Sequence, residues 1–294
     1  MNKQWSDILF RVAQIALWLL LVVVLGSAAV LAWWFLFDAD QSTVSMKWGQ
    51  FMQTAGAMLL PPILCAVIFD ERHRPLNWLH LNKGADWKII LLAVLIMLTA
   101  LPAINLLADL NSRVVLPECL SGVEQWMKSY EEAAEKLMAD FLKTDHIDTL
   151  FINIGLIAVL PALCEELTFR GTLQQLLGGS QWNRSWKMHA AIWVTAFIFS
   201  AIHMQFYGFV PRMLMGAMFG YMFVWTGSLW IPILMHFTNN GLVVMAYYLF
   251  DETALEGKSY ADTFGAGTTW WVGVLSLIAV GVLLWIVRRI ARKE

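Results

Sequence analysis

Side chains that could do chemistry inside the apolar stretches of this sequence are few, and most recur at one spacing. Cys164 to Gly171 sets Glu165, Glu166 and Arg170 into a long apolar run, and residues 152–163 upstream of it carry no ionisable side chain. Further along, His203 follows Phe199 by four positions and Asn240 follows His236 by four. Ionised groups in such runs lose several kcal/mol of solvation unless they find a partner or water, so their presence calls for a use. Glu166 and Arg170, with the acid on the N-terminal side, have the favourable order for an intrahelical ion pair. Glu165 is rotated about 100° from Glu166 on a helix and is left available for other partners. A carboxylate, two imidazoles and an amide in a water-poor cavity suit hydrolysis of an amide bond. Glu165 would take a proton from water and pass it to the leaving amine, and His203 would orient that water. His236 and Asn240 would donate hydrogen bonds to the oxyanion of the tetrahedral intermediate.

These groups converge only if the elements carrying them bring them to one depth. Counting back from Gly179, Glu165 lies about 21 Å along its helix, and counting forward from Lys187, His203 lies about 24 Å along the next. His236 and Asn240 lie about 14 Å and 20 Å beyond Gly227. A shared, hydrated pocket beneath one membrane surface is therefore expected.

The composition of the whole chain agrees. Of 294 residues, 59% are apolar and 14% charged, against about 45–50% and about 25% in soluble domains, and the mean hydropathy is +0.60. The expected fold class is all-α, a polytopic transmembrane helix bundle of about eight spans. The candidates are 12–37, 51–69, 89–108, 146–177, 187–203, 206–225, 229–250 and 270–287, with the first read as a retained signal anchor and kinks expected at Pro61-Pro62 and Pro102. The chain reads as a single membrane domain, 1–294. Lys3 and Arg11, then Arg72, Arg74, Lys83 and Lys88, then Arg184 and Lys187, then Arg288, Arg289, Arg292 and Lys293 all fall on one face, which predicts cytoplasmic termini. The opposite connections, with Asp38, Asp40 and Lys47 and later Asp251, Glu252, Glu256, Lys258 and Asp262, are acidic or mixed. The third connection, 111–145, repeats Val123, Trp126, Met127, Tyr130, Leu137 and Phe141 at helical spacing with acids opposite, which predicts an amphipathic helix on the membrane or capping the bundle. No basic block points to nucleic acid, and the cysteines, Cys65, Cys119 and Cys164, are too dispersed for a disulfide framework or a thiolate zinc site.

Glu165-Glu166-x-x-x-Arg170, Phe199-x-x-x-His203 and His236-x-x-x-Asn240, in this order on separate apolar helices, resemble the signature motifs of the CAAX protease and bacteriocin-processing family of intramembrane proteases. The resemblance covers residues 147–250, including Pro211-Arg212 and the Gly-Ser-Leu-Trp-x-Pro turn at Gly227 to Pro232. It implies an intramembrane endopeptidase core with Glu165 and His203 activating water, an oxyanion site from His236 and Asn240, and supporting roles for Glu166, Arg170 and Phe199. It also implies a peptide or membrane-protein substrate at the lipid bilayer, with no cofactor; the membrane anchor, the topology signals and the absence of organelle-targeting signals lead to the expectation of a bacterial cytoplasmic membrane.

Other readings stay open on the residues alone. Glu165, His203 and His236 are also possible zinc ligands, although no His-Glu-x-x-His motif is present. A lone intramembrane His or Asn can be an interhelical hydrogen bond, and the pairs could equally serve a non-proteolytic scaffold or a bacteriocin self-immunity protein. A transporter with an acid-histidine proton relay would show an internal inverted repeat, and none is visible.

Overall fold

The computed structural model describes residues 3–37, 42–70, 74–142, 144, 146–178, 186–249 and 264–292, and among them every regular element is helical. The helices are α1 (Lys3–Phe37), α2 (Thr43–Phe69), α3 (Pro75–Trp78), α4 (Trp87–Ser112), α5 (Ser121–Leu142), α6 (Ile147–Gly178), α7 (Trp186–Ala201), α8 (Phe209–Thr226), α9 (Trp230–Leu249) and α10 (Trp270–Ile290). Asp38, Asp40, Arg72, Arg184, Asp251, Glu252, Glu256, Lys258, Asp262 and Lys293, used above to read topology, lie outside the described residues. Gly179 and Phe250 do so too.

Five of these helical stretches are long and apolar enough to cross a membrane: α1 from Leu9, α2, α4, α6, and Gly267–Ile290, which contains α10. The protein is a multi-pass helical membrane protein. The expectation of about eight spans is met to that extent only. The other three exist as helices, but α7 has only 16 residues, about 24 Å against a hydrocarbon core of about 30 Å. Arg212 makes α8 more polar, and His236, Thr238, Asn239 and Asn240 do the same to α9.

Prolines shape the helices that matter for the site. A proline has no N–H to give the carbonyl four residues back, and its ring crowds that carbonyl. α2 widens into π-helical turns over Ala55–Leu59, just ahead of Pro61 and Pro62, and α6 does so over Ile154–Val159, just ahead of Pro161. In α4 the disturbance at Pro102 is bridged by Ser276 of α10, whose hydroxyl accepts from the Ala103 amide (3.2 Å) and donates to the Thr99 carbonyl (2.5 Å). Gly56 of α2 lets α1 approach, since a Cβ there would stand 2.5 Å from Ala29 Cβ and 2.8 Å from the Leu25 carbonyl oxygen.

Two apolar clusters flank the α6 acids. One joins α4, α8, α9 and α10 through Ile89, Met97, Phe219, Met222, Met235 and Val287. The other joins α1, α2, α6 and α7 through Trp18, Cys65, Phe169, Leu173 and Phe199. At the end of the bundle where α4 begins, residues 78–83 are stitched to neighbouring elements. Leu229 donates its amide to the His80 carbonyl (3.1 Å), Ser228 Oγ donates to the Lys83 carbonyl (2.6 Å) and Trp230 Nε1 to the Leu81 carbonyl (2.8 Å). His80 Nδ1 donates to the Gly227 carbonyl at 3.1 Å. These bonds fix the start of α9 two turns before His236. At the other end, α5 caps the loop between α7 and α8: the Trp126 and Phe206 rings are 5.3 Å apart and Glu131 Oε2 accepts from the Tyr207 amide at 3.4 Å. The amphipathic connection is thus a helix docked on the bundle.

Candidate active site

Glu165 and Glu166 occupy the same turn of α6 and face different worlds. Glu166 is 0% exposed, as is Arg170, whose Nη1 donates to Glu166 Oε1 at 2.6 Å. A charged pair this dry depends on what serves its remaining groups, and here they are served in part: Glu166 Oε2 and Arg170 Nε have no hydrogen-bond partner among the described residues. Arg170 Nη2 donates to the Gly216 carbonyl at 2.8 Å, and the guanidinium carbon lies 4.8 Å from the Phe199 ring centre and 5.4 Å from that of Phe219. Gly216 is required for this approach: a Cβ there would sit 3.3 Å from Arg170 Nη2 and from Ala196. One turn on, Gln174 Nε2 donates to the Gly220 carbonyl at 3.3 Å. Gly216 and Gly220 of α8 therefore offer two carbonyls, four residues apart, to two side chains of α6 with the same separation. Gln174 is a member of this ladder that the sequence reading missed; its four-residue offset from Arg170 was the available signal.

Glu166 Oε1 also accepts from His236 Nδ1 at 2.9 Å. That bond fixes the tautomer: with its proton on Nδ1, neutral His236 turns a lone pair outward on Nε2. His203 is set in the same way. Its Nδ1 is 2.7 Å from the Phe199 carbonyl, which can only accept, so the proton is on Nδ1 and Nε2 carries the lone pair. His203 lies two residues beyond the end of α7 rather than on it, in a loop where Met204 has a φ of 56°. The Phe219 ring stacks on His236 at 5.7 Å and the Phe199 ring meets it edge-on at 6.0 Å.

Glu165 Oε2 lies 3.9 Å from Nε2 of His203 and 3.9 Å from Nε2 of His236. It has no hydrogen-bond partner among the described residues. Three elements far apart in sequence thus bring a carboxylate oxygen and two ring nitrogens to one point. The separations are those of groups sharing a bridging water rather than a direct hydrogen bond. The side chains of Glu165 and His203 are 16% and 28% exposed and that of Glu166 is 0% exposed, although Glu165 Oε2 itself is buried.

Asn240 stands one turn beyond His236. Its Nδ2 donates to the Ile157 carbonyl of α6 at 3.1 Å, and its Oδ1 accepts from Asn239 Nδ2 at 3.2 Å. Ile157 lies four residues before Pro161, so its carbonyl is one that the proline cannot serve. One hydrogen of the Asn240 amide remains for another acceptor. Arg212 binds the Gln205 side chain and carbonyl beside His203. Zinc at Glu165, His203 and His236 was the alternative on residue type. Among the described residues, no group of three or more His, Cys, Asp or Glu side chains is disposed to hold a metal ion.

Comparison with known proteins bears on the same segment. Residues 147–242 match the family described as Type II CAAX prenyl endopeptidase Rce1-like. Over 113 residues the chain is 33% identical to the membrane-embedded CAAX protease MroQ of Staphylococcus aureus (strain USA300), covering 38% of this chain and 45% of that protein. Over 89 residues it is 29% identical to the uncharacterized protein YpbD of Bacillus subtilis (strain 168), covering 29% of this chain and 40% of that protein. The match thus spans less than half the length of each of these curated relatives. No solved structure matches the chain.

Proposed function

From an Rce1-like type II CAAX prenyl endopeptidase segment at residues 147–242, we propose that the protein is an intramembrane endopeptidase. It would hydrolyse a peptide bond of a membrane-associated protein or peptide with water activated by Glu165. The observation that carries this reading is Glu165 Oε2 at 3.9 Å from Nε2 of both His203 and His236.

A water on this point gives one hydrogen to Glu165 Oε2 and the other to an imidazole lone pair, which aims its oxygen at a carbonyl carbon. As the C–O bond forms, Glu165 takes the proton and the carbonyl electrons move onto its oxygen. The free N–H of Asn240 Nδ2 donates to that oxyanion. His236 donates from Nε2 only after taking a proton, and the carboxylate of Glu166 on its Nδ1 is then the counter-charge. Collapse re-forms the carbonyl and breaks the C–N bond. The proton passes from Glu165 to the leaving amine, and the carboxylate is regenerated. Phe199 holds His203 through its carbonyl and Arg170 through its ring, so its supporting role is to register α7 against α6. The domain reading that accompanies this function has a catalytic core at 147–250 and α5 as an inserted cap. The Lys/Arg distribution supports cytoplasmic termini.

The test compares membrane proteomes of cells carrying the wild-type chain and Glu165→Gln at equal abundance. Precursor forms of one or a few membrane proteins or leader peptides should accumulate in the variant, with new termini present only in the wild type. Identical termini in both strains would end the case for proteolysis.

A further inference from the structure

Thr168, on the α6 turn that follows Glu165, is 2% exposed, and its hydroxyl leaves its own helix, unlike those of Thr172, Thr226 and Thr238. A helical threonine commonly donates back to its own helix. Thr172 donates to Leu167, Thr226 to Met222 and Thr238 to Leu234, each within one helix. Thr168 Oγ1 crosses to α2 and donates to the Met58 carbonyl at 2.7 Å. Met58 lies within the π-helical turns Ala55–Leu59 and four residues before Pro62, so Pro62 has no N–H to offer that carbonyl. The same arrangement recurs at Ile157, which stands four before Pro161 and receives Asn240 Nδ2 at 3.1 Å. In both places a proline withholds a backbone donor and a polar side chain of a packed neighbour supplies one.

We propose that Thr168 is a positioning residue for Glu165, its bond to the proline-freed Met58 carbonyl fixing the rotation of α6 about its axis. Residues three apart on a helix share a face, so pinning Thr168 to α2 leaves Glu165 little freedom to turn away from His203 and His236. Asn240 pins the same helix from the α9 side, one turn ahead of Pro161. The two bonds grip α6 on either side of its acids, and α2, outside the family-matched segment, becomes part of what positions the base. This inference rests on the reading of Glu165 as the base.

The test is a double-mutant cycle between Thr168 and Pro62 in full-length protein, with Thr168→Val, Thr168→Ser, Pro62→Ala and the combinations. Two quantities are read: thermal midpoint in detergent, and turnover of a quenched fluorescent peptide spanning the first cleavage site found by the proteome comparison. Thr168→Ser should stay within twofold of wild type. Thr168→Val should lower kcat about tenfold with KM within twofold, since small misplacement of a reacting group is costly, and lower the midpoint by roughly 2–4 °C. With Pro62→Ala, whose restored N–H serves Met58, Thr168→Val should cost less than half as much by both measures. Equal costs with and without Pro62, or a Thr168→Val protein indistinguishable from Thr168→Ser, would overturn the proposal; the latter comparison needs no proline variant to fold. A wild-type chain that cleaves nothing fails the protease reading instead, and the thermal cycle still decides the bond.

Discussion

Glu165 and Glu166 are neighbours in the chain, and their surroundings are opposites. Glu166 is sealed against Arg170 and His236, whereas Glu165 is partly exposed and sets Oε2 near Nε2 of two imidazoles; each acid keeps one oxygen without a hydrogen-bond partner among the described residues. The difference teaches that an intramembrane acid is made structural or reactive by what the adjoining helices offer it. A guanidinium on the same helix face neutralises one carboxylate. The 100° step to the next residue carries the other out of that arginine's reach and toward α9 and the loop after α7.

The sharpest way to break the contrast is to unpair the dry side. Arg170→Ala leaves Glu166 charged without its cation and should destabilise the protein by about 3–5 kcal/mol. The fall in thermal midpoint in detergent, or loss of folded protein from the membrane fraction, reads this. Glu166→Gln keeps an oxygen that can accept from His236 Nδ1, but it leaves the buried Arg170 cation without its partner, so a similar loss of stability is expected beside the loss of the counter-charge on His236. Turnover should drop on the order of 10–100-fold with KM nearly unchanged, as kinetics on an identified peptide would measure. A variant with wild-type kcat would show that the dry acid does not tune His236.

Smaller effects test the scaffold that keeps the sides apart. Gly220→Ala would bring a Cβ to 2.7 Å from Gln174 Oε1 and 2.9 Å from Ile192, and should cost about 1–3 kcal/mol of stability as the ladder shifts. His80 fastens α9 from outside the membrane. Burial, the largest cause, holds its pKa below the ordinary 6.5, so the folded state prefers the neutral ring. Its contribution is fully present above about pH 6.5 and is lost as pH falls through the lowered value. Hydrogen exchange across 78–83 and 227–230 should accelerate on acidification beyond the intrinsic dependence. The α5 cap has the opposite sign. Burial raises the Glu131 pKa above 4.5, so docking gains from the protonated form and that gain is lost as pH rises through the raised value. Glu131→Gln should level the pH dependence of exchange at residues 202–208, the smallest of these effects.

Much of this was legible in the residues. The apolar composition, the runs that became α1, α2, α4, α6 and α10, and the amphipathic period that became α5 follow from helical periodicity and the cost of leaving polar groups in lipid. The four-residue spacing of Glu166 and Arg170 gave their ion pair outright. The spans expected at 187–203, 206–225 and 229–250 became the helices α7, α8 and α9, whose polar residues and modest length weaken the signal that a lipid-facing helix carries.

What the sequence by itself determined is local: which stretches are helical and apolar, where prolines remove a backbone donor, and which side chains share a helix face. Only the tertiary structure decided where the freed carbonyls of Met58 and Ile157 found Thr168 and Asn240, how His236 placed its proton, and that Glu165, His203 and His236 meet at one point. These depend on how helices rotate and slide against one another. That choice is made by contacts between residues 38 to 110 positions apart, which neither spacing nor composition encodes.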